Sequence, residues 1–429
     1  MIESSVLEEA RQHVLFHHDY KASGWITLAQ KGSDGTWKQY HYQHKQLPLE
    51  LENWQGENIY YSQNTFYKPQ RRIENIKQLR ALYVDVDCYN LNYDPYWVSE
   101  KLKLEVFGEY LPHPNLTIYS GRGLVCIWLI EPVPSLVLPL WKAIQTYFFK
   151  QMEYVGADKK SIDPTRVFRV AGSINSKNNK EVFVEYSHDY RYVLRELQAE
   201  YLPELVSAQT KKSSHVSNVV HLHNIRSLHY ARLLDIVKLA ELRSFDLRGH
   251  RELICFLYRY WSCCLTDDEG ESLSQMLDLN QAFKEPLARR EVSRATLSAE
   301  KAWRAKNDEK ANEEAIANGY PGAGYNMKNC TIIRWLDITE DEQKYLKTII
   351  GGNEKRRRKR ERDTLTFREK NGSIPRAEYL EKQKEITADK LWQLRSAITR
   401  YPKMSNIRLA ELLSVSESYI RKLKRQIEY

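Results

Sequence analysis

Asp85 and Asp87 stand two residues apart in the run Ala81-Leu-Tyr-Val-Asp-Val-Asp87. The run has the composition of a strand, and on a strand residues two apart share a face. Val84 and Val86 are then expected to face the core while both carboxylates project from the other side. Side-by-side carboxylates repel unless a cation lies between them. Hard divalent ions take such oxygen ligands, and a pair of Mg²⁺ or Mn²⁺ ions can clamp the attacking and leaving oxygens of a phosphoryl transfer. D-x-D alone also fits two surface acids on an edge strand.

Two further segments add to this chemistry. Gly156-Ala-Asp158 supplies a candidate third carboxylate, and Ser161-Ile-Asp-Pro-Thr-Arg-Val-Phe-Arg169 follows, then Val170-Ala-Gly-Ser-Ile-Asn175. Arg166 and Arg169 lie eight and eleven residues beyond Asp158, spaced to offer guanidinium forks to a triphosphate or primer phosphate. The plainer alternative for either arginine is an ion pair with Asp163. Ser120, Gly121, Arg122 and Gly123 sit between two strand-like runs, Leu116–Tyr119 and Leu124–Ile130. Amides in such a turn can cradle an anion, although a simple hairpin turn has the same composition.

In this order, D-x-D, S-G-x-G-hydrophobic, then an aspartate with R-x-x-R and A-G-S-I-N, residues 60–190 resemble the archaeo-eukaryotic primase superfamily. The branch they resemble is the primase-like replication proteins of plasmids and mobile elements from Gram-positive bacteria. The resemblance implies an α+β fold with an RNA-recognition-like palm and a DNA-directed primase-polymerase activity. It also implies Mg²⁺ or Mn²⁺ on Asp85, Asp87 and Asp158, phosphate contacts by Arg166 and Arg169, and a nucleotide bordered by Ser120, Gly121, Arg122 and Gly123. That family usually carries a His just after the glycine loop, where it helps hold the triphosphate; here Val125 stands in its place. Residues 249–301 resemble the all-α domain that follows the catalytic domain in such primases.

The elements that must position these residues can be read along the chain. An α/β catalytic domain is expected over 1–205, with helical spacing from Leu138 to Val155 and a closing strand at Val182–Tyr186. A polar linker over 206–224, a helical domain over 225–318 and a basic connecting region over 319–384 follow. A helix–turn–helix is expected over 385–429, with Leu409, Ala410, Leu413, Val415, Ile420 and Leu423 packing two helices and Ser416 capping the second. Ser418, Tyr419, Arg421, Lys422 and Arg425 would then face a major groove.

Charge locates a partner. Leu346–Tyr429 carries 22 Lys/Arg against 11 Asp/Glu, a net of +11, while the rest of the chain nets −2. Seven of the eight residues Lys355 to Arg362 are basic. Lys355, Arg356, Arg357, Arg358, Lys359 and Arg360 are therefore expected on DNA, since basic clusters release counterions when they neutralise phosphates.

At 429 residues the chain has room for two or three domains. It has no apolar run approaching a membrane span and no secretory pattern at Met1-Ile2-Glu3-Ser4-Ser5. The six cysteines show no C-x-x-C pair and read as reduced core thiols of a cytoplasmic protein, without a zinc or iron–sulfur site. No G-x-x-x-x-G-K-[ST] occurs, so opening the duplex would fall to a host replicative helicase.

The expected partners are single-stranded DNA template, origin duplex and nucleoside triphosphates. The expected function is replication initiation with primer synthesis. The rival is a DNA-binding initiator or repressor that keeps the primase fold as a non-catalytic scaffold. His221-Leu-His223 with Tyr230 formally fits a rolling-circle nuclease, but no acid pattern supports it.

Overall fold

The computed structural model describes residues 2–32, 35–54, 56–207, 218–320, 322–370 and 376–427. They fall into two compact units, Met1–Gly351 and Gly352–Tyr429.

The first unit opens with α1 (Ile2–His17) and is built on one nine-stranded antiparallel sheet. Its strands are β1 (Trp25–Lys31), β2 (Trp37–Gln43), β3 (Ile59–Ser62), β4 (Thr65–Phe66), β5 (Ile76–Val86), β6 (Leu116–Tyr119), β7 (Leu124–Pro134) and β8 (Val167–Arg169). A separate two-stranded ribbon, β9 (Ile174–Asn175) and β10 (Lys180–Glu181), precedes the ninth strand, β11 (Phe183–Tyr186). The order across the sheet is β11-β6-β7-β5-β4-β1-β3-β8, with β2 flanking β1.

Residues 81–86 of the strand read at 81–87 are the second half of β5, with Asp87 just past its end, and that half needs support. β4 covers only the start of β5, so beyond Gln78 the strand has β7 on one side and an open edge on the other. Unpaired backbone groups at a buried edge must find partners. Helix α2 (Leu138–Met152) supplies some: Trp141 Nε1 donates to the Ala81 carbonyl at 2.8 Å, and Gln145 Oε1 accepts from the Tyr83 amide at 3.1 Å. Further along, Asp87 N donates to the Gly156 carbonyl at 2.9 Å and Asp158 N to the Asp85 carbonyl at 2.7 Å. The same edge repair therefore carries Asp158 to Asp85.

Val84 and Val86 are fully buried, and Asp85 and Asp87 are half-buried on the opposite face, as the alternation requires. After the sheet, α3 (Asn218–Leu242), α4 (Arg251–Thr266) and α5 (Glu269–Gln281) follow in the chain. Trp128 of β7, Phe148 of α2 and Tyr230, Leu233 and Trp261 of these helices share one hydrophobic cluster. The segments expected as domains 1–205 and 225–318 are thus held by a continuous core. The first turns of α3 fall within the expected linker 206–224, whose centre, 208–217, lies outside the described residues.

The six cysteines carry no disulfide; four are buried, Cys264 is half-buried, and Cys330, expected in the core, is exposed. Tyr230 is only 4% exposed and closed off from any strand of DNA. Among the described residues no helix is long and apolar enough to cross a membrane.

The second unit begins with α6 (Gly352–Lys370), a helix without an apolar stripe, followed by α7 (Arg376–Arg400), α8 (Asn406–Leu412) and α9 (Glu417–Ile427). Leu394 and Ala397 of α7, Leu409 and Ala410 of α8, and Ile420 and Leu423 of α9 make its core. Ser416 Oγ accepts from the Tyr419 amide at 3.3 Å, the cap expected at the start of the last helix.

Candidate active site

A cleft of about 950 Å³ opens on the face of the sheet that carries the acids. Asp85, Asp87, Asp158, Ser120, Val125, Arg166 and Arg169 all line it. Asp85, Val125 and Ile118 are register partners across β5, β7 and β6, so they stand in one row on that face. Val125 is therefore the residue directly across from Asp85 on the neighbouring strand.

Arg166 is the hub of the acids. Its Nη2 lies 3.5 Å from Asp158 Oδ2 and 3.9 Å from Asp85 Oδ2, and its Nη1 lies 3.7 Å from Asp268 Oδ2. The guanidinium thus turns to Asp158, Asp268 and Asp85, while the Asp163 carboxylate is taken up by the Thr165 amide and hydroxyl at 2.9 and 2.8 Å. Burial disfavours the arginine's charge, but Asp85, Asp158, Asp163 and Asp268 outweigh it and raise the pKa.

Burial pushes the Asp85 carboxyl up to about 7; Asp87 and Asp158 push the same way and Arg166 opposes them. Asp87 is raised by burial and then by Asp158. Burial with like charge nearby is the condition a bound cation relieves.

Among the described residues no three acidic, His or Cys side chains are drawn together tightly enough to hold an ion unaided. Arg166 stands among the acids in that role. By donor type the cleft fits a hard divalent cation, because Asp85, Asp87 and Asp158 offer carboxylate oxygens and no sulfur or imidazole is among its lining residues.

Arg169 donates to Asn58 Oδ1 at 3.2 Å and Asn175 Oδ1 at 2.9 Å and stacks over Tyr60 at 4.9 Å. Its Nε is buried without a partner, and burial lowers its pKa.

Of the glycine loop, only Ser120 lines the cleft. Its amide and hydroxyl both engage the Gly123 carbonyl, at 3.0 and 3.2 Å, which closes the turn between β6 and β7. Arg122 lies 4.0 Å over the Tyr89 ring, and Gly121, at φ +82°, packs against Asn178 and Lys180.

Sequence reasoning missed several lining groups. Asp268 caps α5, accepting from the Gly270 and Glu271 amides at 2.8 and 3.1 Å while its other oxygen faces Arg166. Glu271 meets Arg71 at 3.1 Å. Lys31, Trp37, Tyr60, Lys160 and Lys177 also line the cleft. Lys160, two residues after Asp158, had a positional signal; Asp268, more than a hundred residues away in another element, had none.

In the second unit, Lys355, Arg356, Arg357, Lys359 and Arg360 are exposed on α6, with Arg358 half-buried. Arg357 and Arg358 are tied to Glu354, whose carboxyl they hold down at about 2. On α9, Ser418, Arg421, Lys422 and Arg425 are exposed, Arg421 pairing with Glu417 at 2.7 Å, and Tyr419 is half-buried against the unit's core.

No protein-family model matches the chain. A replication protein from Clostridium perfringens is 42% identical over 332 residues, 77% of this chain and 77% of that one. The chain belongs to that replication-protein family. Solved structures similar to this family member include the primase-polymerase domain of cyanophage S-2L, at 15% identity and TM-score 0.34, over 45% of this chain and 96% of that one. The catalytic domain of primase RepB′, solved in complex with initiator DNA, is 12% identical with TM-score 0.34, over 48% and 100%. These two are loose likenesses.

Proposed function

We propose that the chain initiates replication of a plasmid or mobile element, making a primer on single-stranded DNA in the cleft of the first unit and gripping origin duplex with the second. The observation that carries the reading is the bond from Asp158 N to the Asp85 carbonyl, which brings the third acid to the D-x-D pair beside Arg166. Asp85, Asp87 and Asp158 would hold Mg²⁺ or Mn²⁺, which when bound supplies charge neutralisation at the attacked phosphate and the leaving group.

The chain's own residues account for the rest. Asp85 must give up its proton to act as a ligand. Arg166, whose guanidinium lies among these carboxylates, would reach the triphosphate of an incoming nucleotide beside the metal that Asp85, Asp87 and Asp158 would hold. Arg169 keeps an unspent Nε–H for a primer or template phosphate. Ser120 borders the nucleotide.

In the second unit, α8 and α9 form the helix–turn–helix reader. Ser418, Arg421, Lys422 and Arg425 face the groove, and the basic turns of α6 lie on the backbone. A host replicative helicase opens the duplex, since the sequence has no P-loop.

Incubating full-length protein with single-stranded DNA, labelled nucleotides and Mg²⁺ or Mn²⁺ tests the proposal. Wild type should make short products, and Asp85→Ala/Asp87→Ala should reduce them at least a hundredfold. No wild-type product with either metal would favour the second reading, a DNA-binding initiator or repressor on a non-catalytic primase scaffold. The observation behind that reading is Val125, an apolar side chain across from Asp85.

A further inference from the structure

One wall of the cleft carries a feature that the acids and Arg166 do not explain. Lys31 and Trp37 are register partners across the β1–β2 hairpin, and Tyr60 and Arg169 are partners across β3–β8. Ala29, two residues before Lys31, pairs with Tyr60 on one side and Gln39 on the other. Directly paired residues and residues two apart share a face, so all four side chains stand on the cleft side of the sheet.

Ala29 is the small member of this row, and over it Trp37 reaches Tyr60, with ring centroids 5.1 Å apart. Lys31 Nζ lies 5.6 Å over the Trp37 ring and the Arg169 guanidinium 4.9 Å over Tyr60. From the hairpin down to the acids, two adjacent aromatic rings therefore stand between an ammonium and a guanidinium. Trp37 is 43% exposed, an indole face kept in water on an edge strand. Arg169 retains a buried Nε–H without a partner.

We infer that Lys31, Trp37, Tyr60 and Arg169 form a ladder that takes one single strand of nucleic acid into the cleft, a base stacking on Trp37 and phosphates meeting Lys31 and Arg169. An exposed aromatic face between cations fits a base and its flanking phosphates whatever the sequence, because every base has a π face. A duplex hides those faces, so the ladder selects single strands. This rests on the primer-synthesis reading for its biological sense but not for its geometry.

The test uses the full chain and three proteins: wild type, Trp37→Ala and Trp37→Phe. Affinity is read by fluorescence anisotropy with an oligo-dT and with an abasic oligonucleotide of equal length, which keeps the phosphates and lacks the bases. Trp37→Ala should weaken oligo-dT binding about tenfold, within the range of one lost base stack. Trp37→Phe should restore most of that affinity, and abasic binding should be the same for all three. An iodouracil-bearing oligonucleotide should photocrosslink to the peptide that holds Trp37.

Unchanged oligo-dT affinity in Trp37→Ala, or equal losses for both oligonucleotides, would overturn the ladder, as would crosslinks confined to other peptides. Because binding is read without catalysis, a wild type that makes no primer but shows this pattern would remove the polymerase reading and leave the ladder standing.

Discussion

Asp85 is the residue on which charge, burial and function bear most directly. Its carboxyl is pushed up to about 7 by burial, with Asp87 and Asp158 adding to the effect. A carboxyl whose folded pKa exceeds its unfolded value destabilises the fold where it is ionised. That cost is absent below about pH 4, grows as pH rises and is complete above about 7. Asp85→Asn removes the ionisation while Arg166 keeps Asp158 and Asp268. The metal-free variant should therefore be more stable than wild type at pH 8, by roughly 2 kcal/mol after allowance for partial screening. At pH 5 the gain should shrink towards zero; urea unfolding at the two pH values checks it, and a constant difference would mean the carboxyl is not strained by its charge. The face and the pair were legible in the sequence because strand alternation is strict. Asp268 and the hub role of Arg166 were not, because they depend on where α5 lands.

At the scale of elements, the acids are only as well placed as β5, whose outer edge is closed by α2 and the Gly156–Asp158 segment. The other side is closed by β7, and there the turn must come close: a Cβ at Gly123 would sit 2.4 Å from the Val86 carbonyl oxygen. Gly123→Ala must push that turn away from the strand that carries the acids, at a cost of about 1–3 kcal/mol for overpacking. Primer synthesis should fall further than stability alone explains. A variant with wild-type melting and activity would contradict this. The glycines were read from the sequence as an anion nest; two of them also pack closely, Gly123 against β5 and Gly121 against Asn178 and Lys180. Composition alone does not separate those uses, since close backbone approach and phosphate binding both ask for glycine.

At the scale of the molecule, two compact units divide the labour in the proposal, and the charge map anticipated the division. The expected boundary near 205 was less legible, because a shared core of large side chains leaves no compositional mark in the sequence. A protein ending at Gly351 should retain primer synthesis on single-stranded DNA and lose origin-duplex retention in a gel shift. The full chain's duplex affinity should fall steeply with salt, in proportion to the phosphates it neutralises. Retention by the shortened protein would move duplex binding to the first unit.

The measurement closest to the central claim is Mn²⁺ binding to the full chain, followed by electron paramagnetic resonance at pH 8 in wild type and Asp158→Ala. Three acids serving one ion site predict saturable binding by wild type, weakened at least tenfold by losing the acid farthest from the other two in the sequence. Equal binding by both proteins would mean that Asp158 shares the cleft with Asp85 and Asp87 without sharing their chemistry.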